Sequence, residues 1–198
     1  MIYLGPKTIL NVFTWIIHEL SMDKDGLIIV YTGKGKGKTT AALGIALRAI
    51  GYAKKICMIQ FIKGSWHYGE MYSSKRLEPE FEMVAIGKGF VGILDDKSPK
   101  EEHERIAKEA IKISTEKIQS GKYDIIILDE INYAINLGLV KVEDILNLIK
   151  SKPRELDLIL TGNYAKDEII ELADLVTEMR EIKHPFQRGI KAKKGIDF

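Results

Sequence analysis

The stretch YTGKGKGKTT, residues 31–40, decides the fold, because it lies between an apolar run, LIIVYT (27–32), and an alanine- and leucine-rich helical pattern, KTTAALGIALRAIG (38–51). It nearly spells the phosphate-binding pattern G-x-x-x-x-G-K-[ST], a loop whose backbone N–H groups cradle phosphates at the start of a helix. The pattern places its first glycine five positions before the second. Five positions before Gly37 stands Thr32, so the first glycine, Gly33, comes one residue late. Alternating glycines at 33, 35 and 37 still allow a nest of inward N–H groups. Lys34, Lys36 and Lys38 surround it with positive charge. In this reading Gly33, Lys34, Gly35, Lys36, Gly37, Lys38, Thr39 and Thr40 form the nucleotide site, with Lys38 on the phosphates, the Thr39 hydroxyl on Mg2+, and Thr40 as a further phosphate contact.

Outward from the loop the chain alternates apolar runs with helical patterns. KICMIQFI (55–62), FEMVAI (81–86), YDIIILDE (123–130), LDLILTG (156–162) and DLVTEMREI (174–182) read as strands. Residues 100–119, 142–152 and 166–173 read as helices; in the first, Ile106, Ala110 and Ile113 share a face with Ala107, Ile111 and Ile118 beside it. Runs of Ile, Leu and Val without alternation belong to strands covered on both faces. Strands separated by helices imply right-handed crossovers and a parallel sheet. The expected fold is a three-layer α/β phosphate-loop domain with about six mainly parallel strands over residues 26–198, a long loop at 63–80 and a basic tail from Lys183.

IIILDE adds the second half of the site. Asp129 and Glu130 leave a buried strand at the carboxyl edge, where such sheets bind ligands. Hard carboxylate oxygens suit Mg2+. The competing reading is that the two acids cap the next helix.

Composition narrows the partners. Thirty basic against 28 acidic residues, net +2, give no polycation character. KAKK near the C-terminus and KGKGK in the loop lack an aromatic platform for bases, so nucleic acid is not expected. The apolar segment ILNVFTWIIHEL is too short and mixed to span a bilayer, and no membrane partner is expected. Residues 1–25 are read as a separate N-terminal segment, helical and packed on the domain or on a partner subunit. One cysteine, Cys57, allows no intrachain disulfide and fits a reduced, cytoplasmic setting. His67, His103 and His184 have no metal-site spacing.

VYTGKGKGKTTAALG, QFIKGSW, GKGF, YDIIILDEINYA, LTGNYAKDEIIELADLVTEM and IKHPFQRGIKAKKGIDF together resemble the phosphate-loop type of ATP:corrinoid adenosyltransferase, over residues 26–198. The resemblance implies transfer of the 5′-deoxyadenosyl group of ATP to the Co(I) of a corrinoid, with release of tripolyphosphate. The alternative is a small phosphate-loop ATPase or kinase, which would make ADP. The resemblance also implies a homodimer, a reductant or flavoprotein supplying Co(I), and an apolar wedge at the lower corrin face, for which Phe90 in GKGFVG is the matching aromatic. Trp66 in GSWHY is a further candidate beside the substrate. Two positions depart from the family pattern: Gly92 stands where a tryptophan is common, and Asn163 where arginine often follows TG.

Overall fold

A computed structural model describes residues 25–62, 68–86 and 99–197. Trp66, Phe90, Gly92 and the segment 1–24 lie outside the described residues. Six strands form one sheet: β1 (Ile28–Thr32), β2 (Ile56–Gln60), β3 (Phe81–Ala85), β4 (Ile125–Asp129), β5 (Asp157–Thr161) and β6 (Leu175–Glu178), in the order β3-β2-β4-β5-β1-β6. Every pairing is parallel. All six therefore end on one edge, and the loops that follow them gather there.

Both faces of β2, β4 and β5 are covered, which is why these strands read as continuous apolar runs, whereas edge strand β6 is exposed along its length. Cys57, Ile59, Ile126, Leu128, Leu158 and Leu160 point to one face, under α3 (Lys100–Gln119), α4 (Ile131–Asn136), α5 (Val142–Ser151) and α6 (Asp167–Ile170). Ile56, Met58, Ile125, Ile127 and Ile159 point to the other, where α1 (Lys38–Ile50) packs through Ala42 and Ala46. Small residues at those two positions bring α1 close to the sheet. Each isoleucine or leucine so buried contributes roughly 1.5–3 kcal/mol.

The structure corrects the sequence reading at several places. The expected loop at 63–80 contains a helix, α2 (Gly69–Arg76), with Glu70 in its first turn and Lys75 and Arg76 in its last, charges that suit the helix dipole. The buried stripe of α3 runs through His103, Ile106, Ala107, Ala110, Ser114 and Ile118, so Ser114 takes the inward place expected for Ile113. Its hydroxyl donates to the Ala110 carbonyl at 2.7 Å, which satisfies it without solvent. The last helix and last strand are shorter than expected, ending at Ile170 and Glu178. β4 stops at Asp129, and Glu130 turns into a left-handed conformation. In the tail, Pro185–Arg188 forms a 3-10 turn begun by His184, whose Nδ1 accepts from the Phe186 N–H.

Candidate functional site

The one-residue shift of the first glycine has a local cause. Thr32 belongs to β1 and is paired with Glu178 of β6, so the loop opens only at Gly33. There the backbone of Met179 runs alongside: a Cβ on Gly33 would lie 2.5 Å from the Met179 carbonyl oxygen, and one on Gly35 would lie 2.8 Å from it. The Gly35 N–H donates to that same carbonyl at 2.7 Å. Glycines at 33 and 35 thus let the loop press against the end of β6. Gly37 precedes α1 with φ +111, a conformation that side chains rarely adopt.

Lys38, nearly buried, curls back so that its Nζ donates to the carbonyls of Gly33 and Gly35, each at 2.8 Å. Burial lowers its pKa, while the charges of Glu130 and Asp129 oppose that shift. The other two lysines diverge. Lys36 pairs with Asp197 of the tail, whose second oxygen accepts from the Lys193 N–H at 2.7 Å. Lys34 lies 5.9 Å from the ring centroid of Tyr164, in a separate cleft of about 490 Å³ that Gly33 also lines.

Lys36, Gly37, Lys38, Thr39 and Thr40 open into a cavity of about 810 Å³. Leu43, Leu47 and Leu77 give it an apolar wall, Glu70 and Ser73 come from α2, Glu130 closes one side, and Gly195, Ile196 and Asp197 bring the tail across. Helix α2 is the part of this cavity that the sequence does not place. For α2 the usable signal was its charge order; for the contact of Asp197 with Lys36 there was none, because it spans 161 positions.

Asp129 is fully buried beneath the loop. Its Oδ1 accepts from the hydroxyls of Thr39 at 2.9 Å and Thr161 at 2.7 Å, and its Oδ2 from the Gln60 amide at 3.2 Å. With its proton committed to Asp129, the Thr39 oxygen keeps lone pairs for a cation. Glu130 makes no side-chain bond to the start of α4, so the helix-capping alternative does not describe it. Among the described residues no three His, Cys, Asp or Glu side chains form a ready metal cage. One hydroxyl and two carboxylates fit Mg2+, which takes few protein ligands and keeps waters and substrate phosphates.

Among the described residues four buried polar atoms have no partner: Gln60 Oε1, both amide atoms of Asn132, and Asn163 Oδ1. These residues end β2, open α4 and follow β5, so all lie at the carboxyl edge of the sheet. Buried polar groups normally find a partner, and such exceptions mark places where ligand or water completes the bonding. Cys57, by contrast, is inert packing: burial first, then the charge of Glu82, pushes its thiol up to about 12.

The model of the family described as ATP:corrinoid adenosyltransferase BtuR/CobO/CobP matches residues 24–198. The corrinoid adenosyltransferase of Escherichia coli (strain K12) is 37% identical over 181 residues, covering 90% of this chain and 88% of its own length. That of Sinorhizobium sp is 39% identical over 178 residues, covering 89% and 82%. The chain belongs to the ATP:corrinoid adenosyltransferase family. Among solved structures, the flagellar accessory protein FlaH from Methanocaldococcus jannaschii covers 78% of this chain and 71% of its own, at TM-score 0.48 and 14% identity. In this adenosyltransferase chain residues 36–40 of the phosphate loop, Glu130 and the tail line one cavity, and no helix among the described residues is long and apolar enough to cross a membrane.

Proposed function

We propose that this corrinoid adenosyltransferase moves the 5′-deoxyadenosyl group of ATP onto the Co(I) of a corrinoid and releases tripolyphosphate. The cobalt electron pair forms the Co–C5′ bond as the C5′–O5′ bond breaks, and both electrons of that bond leave with the tripolyphosphate. Co(I) supplies the nucleophile, so the protein needs no general base. The observation that carries this reading is the cavity itself, lined both by phosphate-loop residues and by an apolar wall of Leu43, Leu47 and Leu77.

Lys38 leaves its loop carbonyls for the phosphates, where its charge offsets that gathering on the leaving group. Lys36, Thr40 and the loop N–H groups hold the chain in line, and the contribution of positioning is large in such a reaction. Mg2+, held by Thr39 and Glu130 with Asp129 behind them, supplies further charge neutralisation on the phosphates. Phe90 and Trp66 act on the corrinoid, with Phe90 displacing the lower axial ligand. ATP carries no electrons for making Co(I), so a reductant or flavoprotein provides it. A homodimer, with residues 1–25 covering the partner's corrinoid site, and a cytoplasmic location complete the reading.

The test is the visible spectrum of chemically reduced cobalamin incubated with protein, ATP and Mg2+. Conversion to the spectrum of an alkylcobalamin is expected. Hydrolysis of ATP with an unchanged cobalt spectrum would favour the small ATPase reading.

A further inference from the structure

Thr161 touches neither face of the cavity, yet it joins every part of the acidic pair. It is the last residue of β5, the strand between β4 and β1, and is fully buried. Its hydroxyl donates to Asp129 Oδ1 at 2.7 Å and accepts from the Glu130 backbone N–H at 2.9 Å. A hydroxyl has one proton and two lone pairs, so both bonds form at once. β4 ends at Asp129, and the chain then swings to φ 63, ψ 19 at Glu130. For a residue other than glycine this left-handed conformation costs on the order of 1 kcal/mol and persists only where surroundings enforce it.

The next residue adds to that constraint. Gly162, at φ +123, lies so close to α4 that a Cβ there would stand 2.8 Å from the Tyr133 nitrogen, and its own N–H donates to the Tyr31 carbonyl at 3.2 Å. The Thr-Gly step at the end of β5 therefore grips the turn after β4 from one side and β1 from the other. Without the hydroxyl, the Glu130 N–H would be left without this bond and Asp129 would lose one of the two donors on Oδ1.

We propose that Thr161 is a positioning residue that holds Glu130 in its left-handed turn and thereby aims the Glu130 carboxylate at the cation site beside Thr39. This rests on the reading that the acidic pair serves Mg2+ with ATP. Thr161 acts through Glu130 and Asp129 and touches neither metal nor nucleotide. Gln60 supports the same pair from the other side, through Asp129 Oδ2.

Isothermal titration of ATP into the full chain, at a series of Mg2+ concentrations and without Mg2+, separates the outcomes. Thr161→Val and Thr161→Ala are expected to bind ATP without metal within about twofold of wild type, yet to need roughly tenfold more Mg2+ for half of the metal-dependent gain, the effect of one lost bond to a charged group. Thr161→Ser, which keeps the hydroxyl, is expected to return within about threefold. Circular dichroism melting of each variant checks folding. Wild-type Mg2+ titration in both hydroxyl-free variants would overturn the assignment. So would equal loss of metal-free and metal-dependent binding, or failure of both variants to fold, since either makes Thr161 a general structural residue. A wild-type protein with no Mg2+-dependent gain would instead defeat the metal reading itself.

Discussion

The two edges of the sheet carry the same residue types and use them in opposite ways. At the amino edge, Asp124, Asp157 and Asp174 each sit at or just before a strand and accept a backbone N–H from a neighbouring one: Lys55 at 2.7 Å, Leu27 at 2.7 Å and Ile28 at 2.8 Å. Glu82, Lys117 and Tyr123 bond one another there, with Lys117 Nζ 3.1 Å from the Tyr123 hydroxyl. Burial works to raise the Glu82 pKa, but the bonds from Lys117 and Tyr123 prevail and hold it below its ordinary value. At the carboxyl edge, Asp129 is equally well bonded, but Glu130 is turned toward a cavity, Lys38 is folded on its own loop, and four buried polar atoms lack partners among the described residues. A closed network stabilises the fold. An edge with charge and bonding capacity left over binds something.

That contrast makes graded predictions. Lys38→Ala should lower adenosylation by roughly a thousandfold, as loss of a charge aimed at a leaving group does, with little change in melting temperature because Lys38 spans no core cluster. Steady-state rates alongside a melting curve check this, and a folded variant within a few-fold of wild type would place Lys38 outside the site. Asp197→Asn should act more gently. The tail loses its charge pairing to Lys36 and part of its hold over the cavity, so the ATP KM should rise roughly threefold, within the range of an exposed ion pair. Rates measured at several ATP concentrations decide it; an unchanged KM would make the tail a bystander.

The smallest effect on activity belongs to the amino edge. Tyr123→Phe removes the hydroxyl between Glu82 and Lys117, and should reduce stability by about 1 kcal/mol while leaving turnover unchanged. The loss should be seen above the ordinary carboxylate range and shrink as pH falls through the lowered Glu82 pKa, since the charged carboxylate is the form that the network favours. Denaturant melts at neutral and acid pH test the sign. A fall in turnover would break the division between the edges.

Much of this was legible in the chain. The inner strands β2, β4 and β5 announce themselves because doubly covered strands must be apolar nearly throughout, and the loop and Asp129-Glu130 because phosphate chemistry restricts the residues that can serve. What remained hidden depends on distant contacts. The shifted glycine makes sense only once Met179 is seen against Gly33 and Gly35. Thr161 reads as the end of a strand until its hydroxyl is found between Asp129 and Glu130. Helix α2 escaped because GEMYSSKR is polar nearly all round and only Ser74 is buried, leaving no apolar stripe to reveal its period.

The central claim is that the reacting atom of ATP is the 5′ carbon and not a phosphorus. Phosphorus-31 NMR of the products, after one turnover with Co(I) cobalamin, ATP and Mg2+, tests it most directly. Intact tripolyphosphate, formed in equal amount with the adenosylated corrinoid, is the predicted result; ADP with orthophosphate or a phosphorylated second substrate would contradict it.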